Sequence, residues 1–370
     1  MEFRITKSEL LKGLSRIQAI VEKRNTMPIL ANALIESKGE KISISATDLD
    51  VGIRGDYDAT VVTEGSITVS ARKLYEIARE LPEEAITLRS KESGWVELTC
   101  AKIAYKLVGL PAEEYPGLPK AEEKNLASME SSLLLQMIEK TLYAVSTDET
   151  RYNLNGLFVQ AEKDGSGLQM IATDGHRLAL IKKKIVAADL ARFSEGVIVP
   201  KKGILELKRL LEEDDEPVEI GFRKGHATIR KKDILLVVRL IDAVFPDYKQ
   251  VVPEETKLTL TVSREALQAA LKRISILAME KTRSVKLELE ENRLIISSNN
   301  PDLGEAREEL DVDYHGESLA IGFNAKYLVE AVSSLDDKEV QLRFNDELSP
   351  GKICPATDED TIAVVMPMRI

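Results

Sequence analysis

Ile44-Ser45-Ala46-Thr47-Asp48, Met170-Ile171-Ala172-Thr173-Asp174 and Ile296-Ser297-Ser298-Asn299-Asn300 are three versions of one run, a strand-like stretch closing on polar residues. Their last residues stand at 48, 174 and 300, a constant spacing of 126. A second landmark recurs in the same order: Ala71-Arg72-Lys73, Pro200-Lys201-Lys202 and Asn324-Ala325-Lys326. Each leads into a leucine-rich helical stretch, an acidic turn and an alternating strand. Two landmarks in register imply three copies of one domain of about 120 residues. Proline-bearing polar stretches, Leu110 to Ser128 and Phe245 to Lys257, read as the connectors and set the domains at 1–120, 127–251 and 256–370.

Within a copy the apolar period alternates between two and 3.6. Leu10, Leu14, Ile17 and Val21 fall on one helical face, with Ser8 as the expected N-cap and Pro28 beyond the end. Period-two runs follow at Leu30 to Ser37, Lys41 to Thr47 and Val51 to Tyr57, and a strand over Thr60 to Ser70 leads to a second helix at Ala71 to Leu81. The later copies predict helices at Ser131 to Val145, Lys201 to Glu212, Ser263 to Lys281 and Asn324 to Leu335. Each domain thus reads as two strand–helix–three-strand halves. The fold class is α+β, with a helix pair covering antiparallel sheets.

Composition narrows the function by exclusion. With 44% hydrophobic residues and no apolar run of membrane length, the chain reads as an ordinary soluble protein with no membrane partner. Cys100 and Cys354 lie in different copies, which fits two thiols in a reducing cytoplasm. There is no phosphate-binding glycine loop, no metal-spaced Cys/His set and no nucleophile elbow, and His176, His226 and His315 are scattered. Catalysis and cofactors are not expected. A repeat scaffold that binds peptides but no DNA is the alternative class.

Net charge is −11, yet the polar face of the first helix is basic, through Lys12, Arg16 and Lys23. Lys201, Lys202, Lys208 and Arg209 mark the fourth helix, and Arg264, Lys272, Arg273 and Lys281 the fifth. Acidic residues gather in turns such as Glu212 to Glu216. A basic lining in an acidic shell suits a phosphate backbone without base readout. Six helices about 10 Å apart enclose too small a circle for a duplex, whereas twelve leave roughly 28 Å clear. Two chains head to tail are therefore expected to close a six-domain ring around duplex DNA.

Two further segments stand out: Asp174-Gly175-His176-Arg177-Leu178, and the terminal Val364-Val365-Met366-Pro367-Met368-Arg369. Methionine beside valine and proline suits a pliable peptide groove. With Arg151 to Gly156, Phe245-Pro246-Asp247-Tyr248 and Phe323-Asn324-Ala325-Lys326-Tyr327, these segments resemble the bacterial DNA polymerase III beta subunit family, the sliding clamps, along the whole chain. The resemblance implies a non-catalytic homodimeric ring that tethers the replicative polymerase catalytic subunit to duplex DNA. It also implies a clamp loader and other partners carrying a short clamp-binding motif, with a glutamine and a terminal hydrophobic pair.

Carried over residue by residue, the family's peptide pocket falls on Leu154, Thr173, Gly175, His176, Arg177 and Leu178. It continues on Pro246, Val251, Val364, Val365, Met366, Pro367, Met368 and Arg369, with Asn324 and Tyr327 beside it. His176 and Arg177 are expected as polar anchors at its rim. DNA contacts fall on Arg24, Arg72, Lys73, Tyr152 and Lys202, joining Lys12 and Arg16 of the first helix. The dimer contact falls on Tyr105 against Ile276 and Leu277, and Ile276 lies off the apolar stripe of its helix. Gln250 and Asn153 depart from the family pattern, where a basic residue and an aromatic occur.

Overall fold

The computed structural model describes residues 1–21, 27–91, 94–118, 126–162, 165–185, 194–223, 225–357 and 359–369. Among these, six helices form: α1 (Lys7–Ile17), α2 (Ala71–Glu80), α3 (Ser131–Glu139), α4 (Lys201–Leu211), α5 (Arg264–Ile274) and α6 (Ala325–Ser333). The strands repeat with the sequence. In the first copy Asn32–Lys38, Lys41–Thr47 and Val51–Asp58 form a meander, and Gly65–Ser70 pairs back on the first strand before α2. Gly156–Ala161, Gly167–Thr173, Arg177–Lys184 and Val197–Pro200 repeat this before α4. Ser284–Glu290, Arg293–Asn300, Gly304–Asp311 and Leu319–Asn324 do so before α6.

Both landmarks have a physical cause. The first is a turn: the Asp48 carboxylate accepts the Asp50 N–H at 2.9 Å and the Val51 N–H at 2.6 Å. Asp174 accepts from His176 and Arg177 at 2.9 and 3.1 Å, and Asn300 from Asp302 at 3.0 Å. Short side chains that bond their own backbone two residues on favour such turns. The second is a helix start, where Ser70 caps the Lys73 N–H and Asn324 the Lys326 N–H.

The contacts divide the chain into two compact units, and the second copy is shared between them. One unit, Met1–Ser132 with Lys202–Leu240, holds a 13-stranded sheet, because Val51–Asp58 pairs with Ile234–Arg239. The other, Leu133–Lys201 with Ile241–Ile370, holds sheets of eight and four strands, and in it Arg177–Lys184 pairs with Thr361–Val365. The third strand of one copy's meander thus pairs with the last strand of the next copy. A ladder of backbone hydrogen bonds crosses each copy boundary, so each half of the second copy coheres with a neighbour.

Several local expectations change. The N-cap of α1 is Thr6, not Ser8, because Thr6 keeps the extended backbone a cap needs while Ser8 lies inside the first turn. α1 ends at Ile17, and Lys23 and Arg24 lie outside the described residues. α5 ends at Ile274, where Ser275 donates to the Lys272 carbonyl at 2.8 Å, and Lys281 is off the helix. α3 stops at Glu139, short of Val145. The connectors are not simple polar links. Tyr115 is buried against Ile29 and Leu30; its hydroxyl accepts from the Thr47 N–H at 3.1 Å and donates to the Asn32 carbonyl at 3.3 Å. Cys100 and Cys354 are buried thiols in no disulfide. No helix among the described residues is long and apolar enough to cross a membrane.

Candidate functional site

Strand alternation builds a pocket at the junction of the second and third copies. Leu178 stands opposite Val364, and both join an apolar cluster with Leu154, Ile171, Phe245 and Tyr248. The adjacent pair, Arg177 opposite Val365, points to the other face, where Val365 belongs to the core of the third copy. The second connector folds over the cluster. Phe245 stacks on Phe158 at 4.8 Å, and a short turn at Tyr248–Gln250 starts on Asp247, whose carboxylate takes the Lys249 N–H at 3.3 Å.

What remains open is a cavity of about 360 Å³ lined by Leu154, Thr173, Gly175, Arg177, Leu178, Pro246, Val251, Val364 and Met366. Arg151, Asn153 and Tyr248 also line it. None of the three is among the pocket residues that the resemblance implies, although all lie in segments that carry it; Asn153 stands out only as a departure from the family pattern, and Tyr248 by its proline-flanked aromatic setting. His176, Val365, Pro367, Met368, Arg369, Asn324 and Tyr327 lie outside the lining. His176 is exposed and contributes its carbonyl to the Met366 N–H at 2.9 Å. Met368 donates its N–H to the Gly322 carbonyl at 2.8 Å, and Asn324 caps α6. Gln250 bonds Asp247 at 3.0 Å, and Asn153 donates to the Val244 carbonyl at 3.4 Å.

The turn beside the pocket is left-handed at its glycine, a conformation glycine adopts at no steric cost. Gly175 has φ +87°, and Thr173 Oγ1 accepts its N–H at 3.1 Å while donating to the Arg177 carbonyl at 2.6 Å. The matching turn of the first copy holds Leu49 at φ +79°. There Gly52 stands where the second copy has Leu178, each opposite the last threonine of the landmark. A Cβ on Gly52 would lie 2.2 Å from Leu118 Cδ2, so the first connector's own leucine fills that place.

Arg177 is not a free anchor at the rim. It is buried, and its Nε donates to Asp174 at 3.1 Å, its Nη2 to the Tyr143 carbonyl at 2.6 Å and its Nη1 to Glu330 of α6. The guanidinium lies 4.5 Å from the Tyr327 ring centre and 5.4 Å from that of Tyr143. Burial pushes the Tyr143 hydroxyl up to about 12 and raises that of Tyr327, so both stay neutral at physiological pH.

The basic residues meet carboxylates in the same unit. Arg16 forks onto Glu213 and reaches the Tyr57 hydroxyl at 3.3 Å. Burial opposes its charge, yet Glu213 and Tyr57 hold the guanidinium above its usual value. Lys202 pairs with Asp48, while Arg72 and Lys73 share Glu76 at 2.9 and 2.7 Å. Lys73 and then Arg72 hold Glu76 below the ordinary carboxylate range. Lys12 is exposed, as is Tyr152. Among the described residues Arg16 and Lys202 are thus each paired with a carboxylate, and Arg72 and Lys73 share one, which the charge pattern alone did not suggest. Tyr105 is half exposed, Leu277 partly buried and Ile276 76% exposed. Among the described residues no cluster of His, Cys, Asp and Glu could hold a metal ion.

Comparison with known proteins agrees with this anatomy. Family models for the DNA polymerase III beta subunit match in three parts: the N-terminal domain over residues 1–119, the central domain over 128–247 and the C-terminal domain over 249–369. A beta sliding clamp of Caulobacter vibrioides is 37% identical over the full length of both chains. The crystal structure of DNA polymerase III subunit beta from Pseudomonas aeruginosa superposes with a TM-score of 0.94 at 34% identity, again covering both chains completely. Caulobacter crescentus pol III beta gives a TM-score of 0.94 at 36% identity. The chain belongs to the DNA polymerase III beta subunit family, the sliding clamps, which are processivity factors and not enzymes.

Proposed function

We propose that the chain tethers the replicative polymerase to duplex DNA as a head-to-tail homodimeric ring of six domains, bounded in each chain at 1–120, 127–251 and 256–370. One observation carries the ring. Each internal boundary is closed by a third meander strand pairing with a last strand, and one of each is left open, the last strand of the first copy and the third meander strand of the third. Among the described residues the outer edge of Gly304–Asp311 has no partner strand, and Ile103–Leu110 pairs on that side only through Gly109 and Leu110. Open edges invite a strand from another chain.

The internal pairings set the register. Gly55 opposite Ile234 and Ile181 opposite Thr361 correspond to Glu308 opposite Ile103 of a second copy. Tyr105 then faces the small Ala306, near Ile276 and Leu277, and Lys106 faces Glu305. The charges complement each other, as an interface of defined register requires.

The pocket at Leu154, Leu178, Pro246, Val251, Val364 and Met366 takes the hydrophobic end of a short motif. Polymerase, clamp loader and other partners would share it in the cytoplasm. Lys12, Arg24, Arg72, Lys73, Tyr152 and Lys202 meet the DNA backbone. The carboxylates paired with several of them keep that contact weak enough for sliding. The test is a chain of 41.1 kDa that sediments as a dimer and, once loaded, stays on closed circular DNA but leaves a linear duplex. Equal loss from both forms would sink the ring. A scaffold with no DNA role predicts that Lys12→Glu with Lys202→Glu leaves partner recruitment to DNA unchanged.

A further inference from the structure

We infer that Glu330, on α6 of the third copy, is a positioning residue for the peptide pocket, acting through Arg177; this rests on the pocket reading above. Arg177 borders the cavity, but three separate segments hold its guanidinium. Asp174 belongs to its own turn, Tyr143 to the short turn Leu142–Ala144 after α3, and Glu330 to α6. Asp174 also accepts the Arg177 backbone N–H at 3.1 Å, so side chain and turn are gripped by one carboxylate. Glu330 is the hydrogen-bonding group that ties this assembly to the next copy, beside the Tyr327 ring of the same helix. Lys326 lies 3.8 Å from Glu330, a long contact beside the direct bond to Arg177.

A guanidinium that is 8% exposed cannot replace a lost carboxylate with bulk water at little cost. Without Glu330, Nη1 loses its acceptor, and the guanidinium is left with the Tyr143 carbonyl and with Asp174, which lies in the turn Thr173–Arg177 that walls the pocket. The turn follows the side chain, and the pocket loses its preformed shape. Peptide affinity therefore depends on a carboxylate that lies outside the cavity lining. A second ionic clasp between the same copies supplies a control: Lys140 donates to the Ser334 carbonyl at 2.8 Å and to Asp336 at 2.6 Å, and neither acceptor bonds the Arg177 guanidinium.

The experiment titrates the full-length dimer against a fluorescent hexapeptide with a glutamine and a terminal Leu-Phe pair. Glu330→Ala is expected to bind roughly three- to tenfold more weakly, within the range of coupling between contacting residues, and the isosteric Glu330→Gln in between. In an Arg177→Lys background, Glu330→Ala should add little, because the shared contact is already gone. Lys140→Met should bind as the unmodified protein does. Unchanged affinity in Glu330→Ala, additive losses in the double variant, or an equal loss in Lys140→Met would each overturn the proposal. Failure of the pocket reading looks different: the unmodified protein would not bind, or Leu178→Asp would bind normally.

Discussion

Lys231 shows what a single residue can hold together. It is buried, and its ammonium donates to the Leu210 carbonyl at the end of α4 at 2.9 Å and to the Asp214 carbonyl just beyond it at 2.7 Å. Its carboxylate partner is Asp214, at 3.1 Å. Burial pushes the Asp214 carboxyl up, but Lys232, Lys231 and the Glu216 N–H together pull it down to about 2, from an ordinary value of 3.8. A depressed carboxyl contributes stability above its unfolded value and loses it as pH falls through the folded one. Asp214→Asn should thus melt below the unmodified protein at neutral pH, and the gap should close between about pH 4 and about pH 2, as thermal unfolding at a series of pH values would show. A gap that persisted at the acid end would mean the carboxylate's charge is not what holds α4.

Elements explain why neighbouring residues have separate fates. On the strand Thr361–Val365 successive side chains serve different cores, Val364 the pocket cluster and Val365 the core of the third copy. Val365→Ala should cost about 2 kcal/mol of stability, from lost burial and the cavity left behind, with peptide affinity unchanged. Val364→Asp should remove peptide binding, since it places a carboxylate in the dry floor. Denaturant unfolding and peptide titration on the same two proteins separate these effects. The opposite pattern would mean that the strand's register is wrong by one residue.

At the scale of the whole molecule, an internal junction and the proposed dimer contact are one interaction used repeatedly. The pairing of Val51–Asp58 with Ile234–Arg239 supplies the template, and the open edges at Ile103–Leu110 and Gly304–Asp311 are its unfilled halves. Lys106→Glu would set like charges across each contact and weaken the dimer several-fold, by the usual cost of opposed like charges on paired strands. Adding Glu305→Lys in the same chain should restore it, because every contact would again hold one charge of each sign. Sedimentation across a dilution series checks both. A double variant no better than Lys106→Glu would place the register elsewhere.

The repeat was legible because turns and caps are local. Asp48, Asp174 and Asn300 each bond a backbone N–H two residues on, so a short segment carries all the information. Helix faces and strand alternation were legible for the same reason, and the family resemblance followed from segments of that kind. Boundaries were less so: α5 gives way after Ile274 to a 3-10 turn at Ser275–Leu277, although the basic pattern runs on. Long-range partners were not legible at all. The chain does not announce that Arg177 meets Glu330, 153 residues away, or that Arg16 is held by Glu213, 197 residues away. Sequence alone determined three α+β copies and the chemistry of the pocket's floor. Tertiary structure decided which basic groups are already neutralised and that Leu118 fills the place over Gly52. Those outcomes depend on side chains far apart in the chain meeting in space, and no local pattern encodes such a meeting.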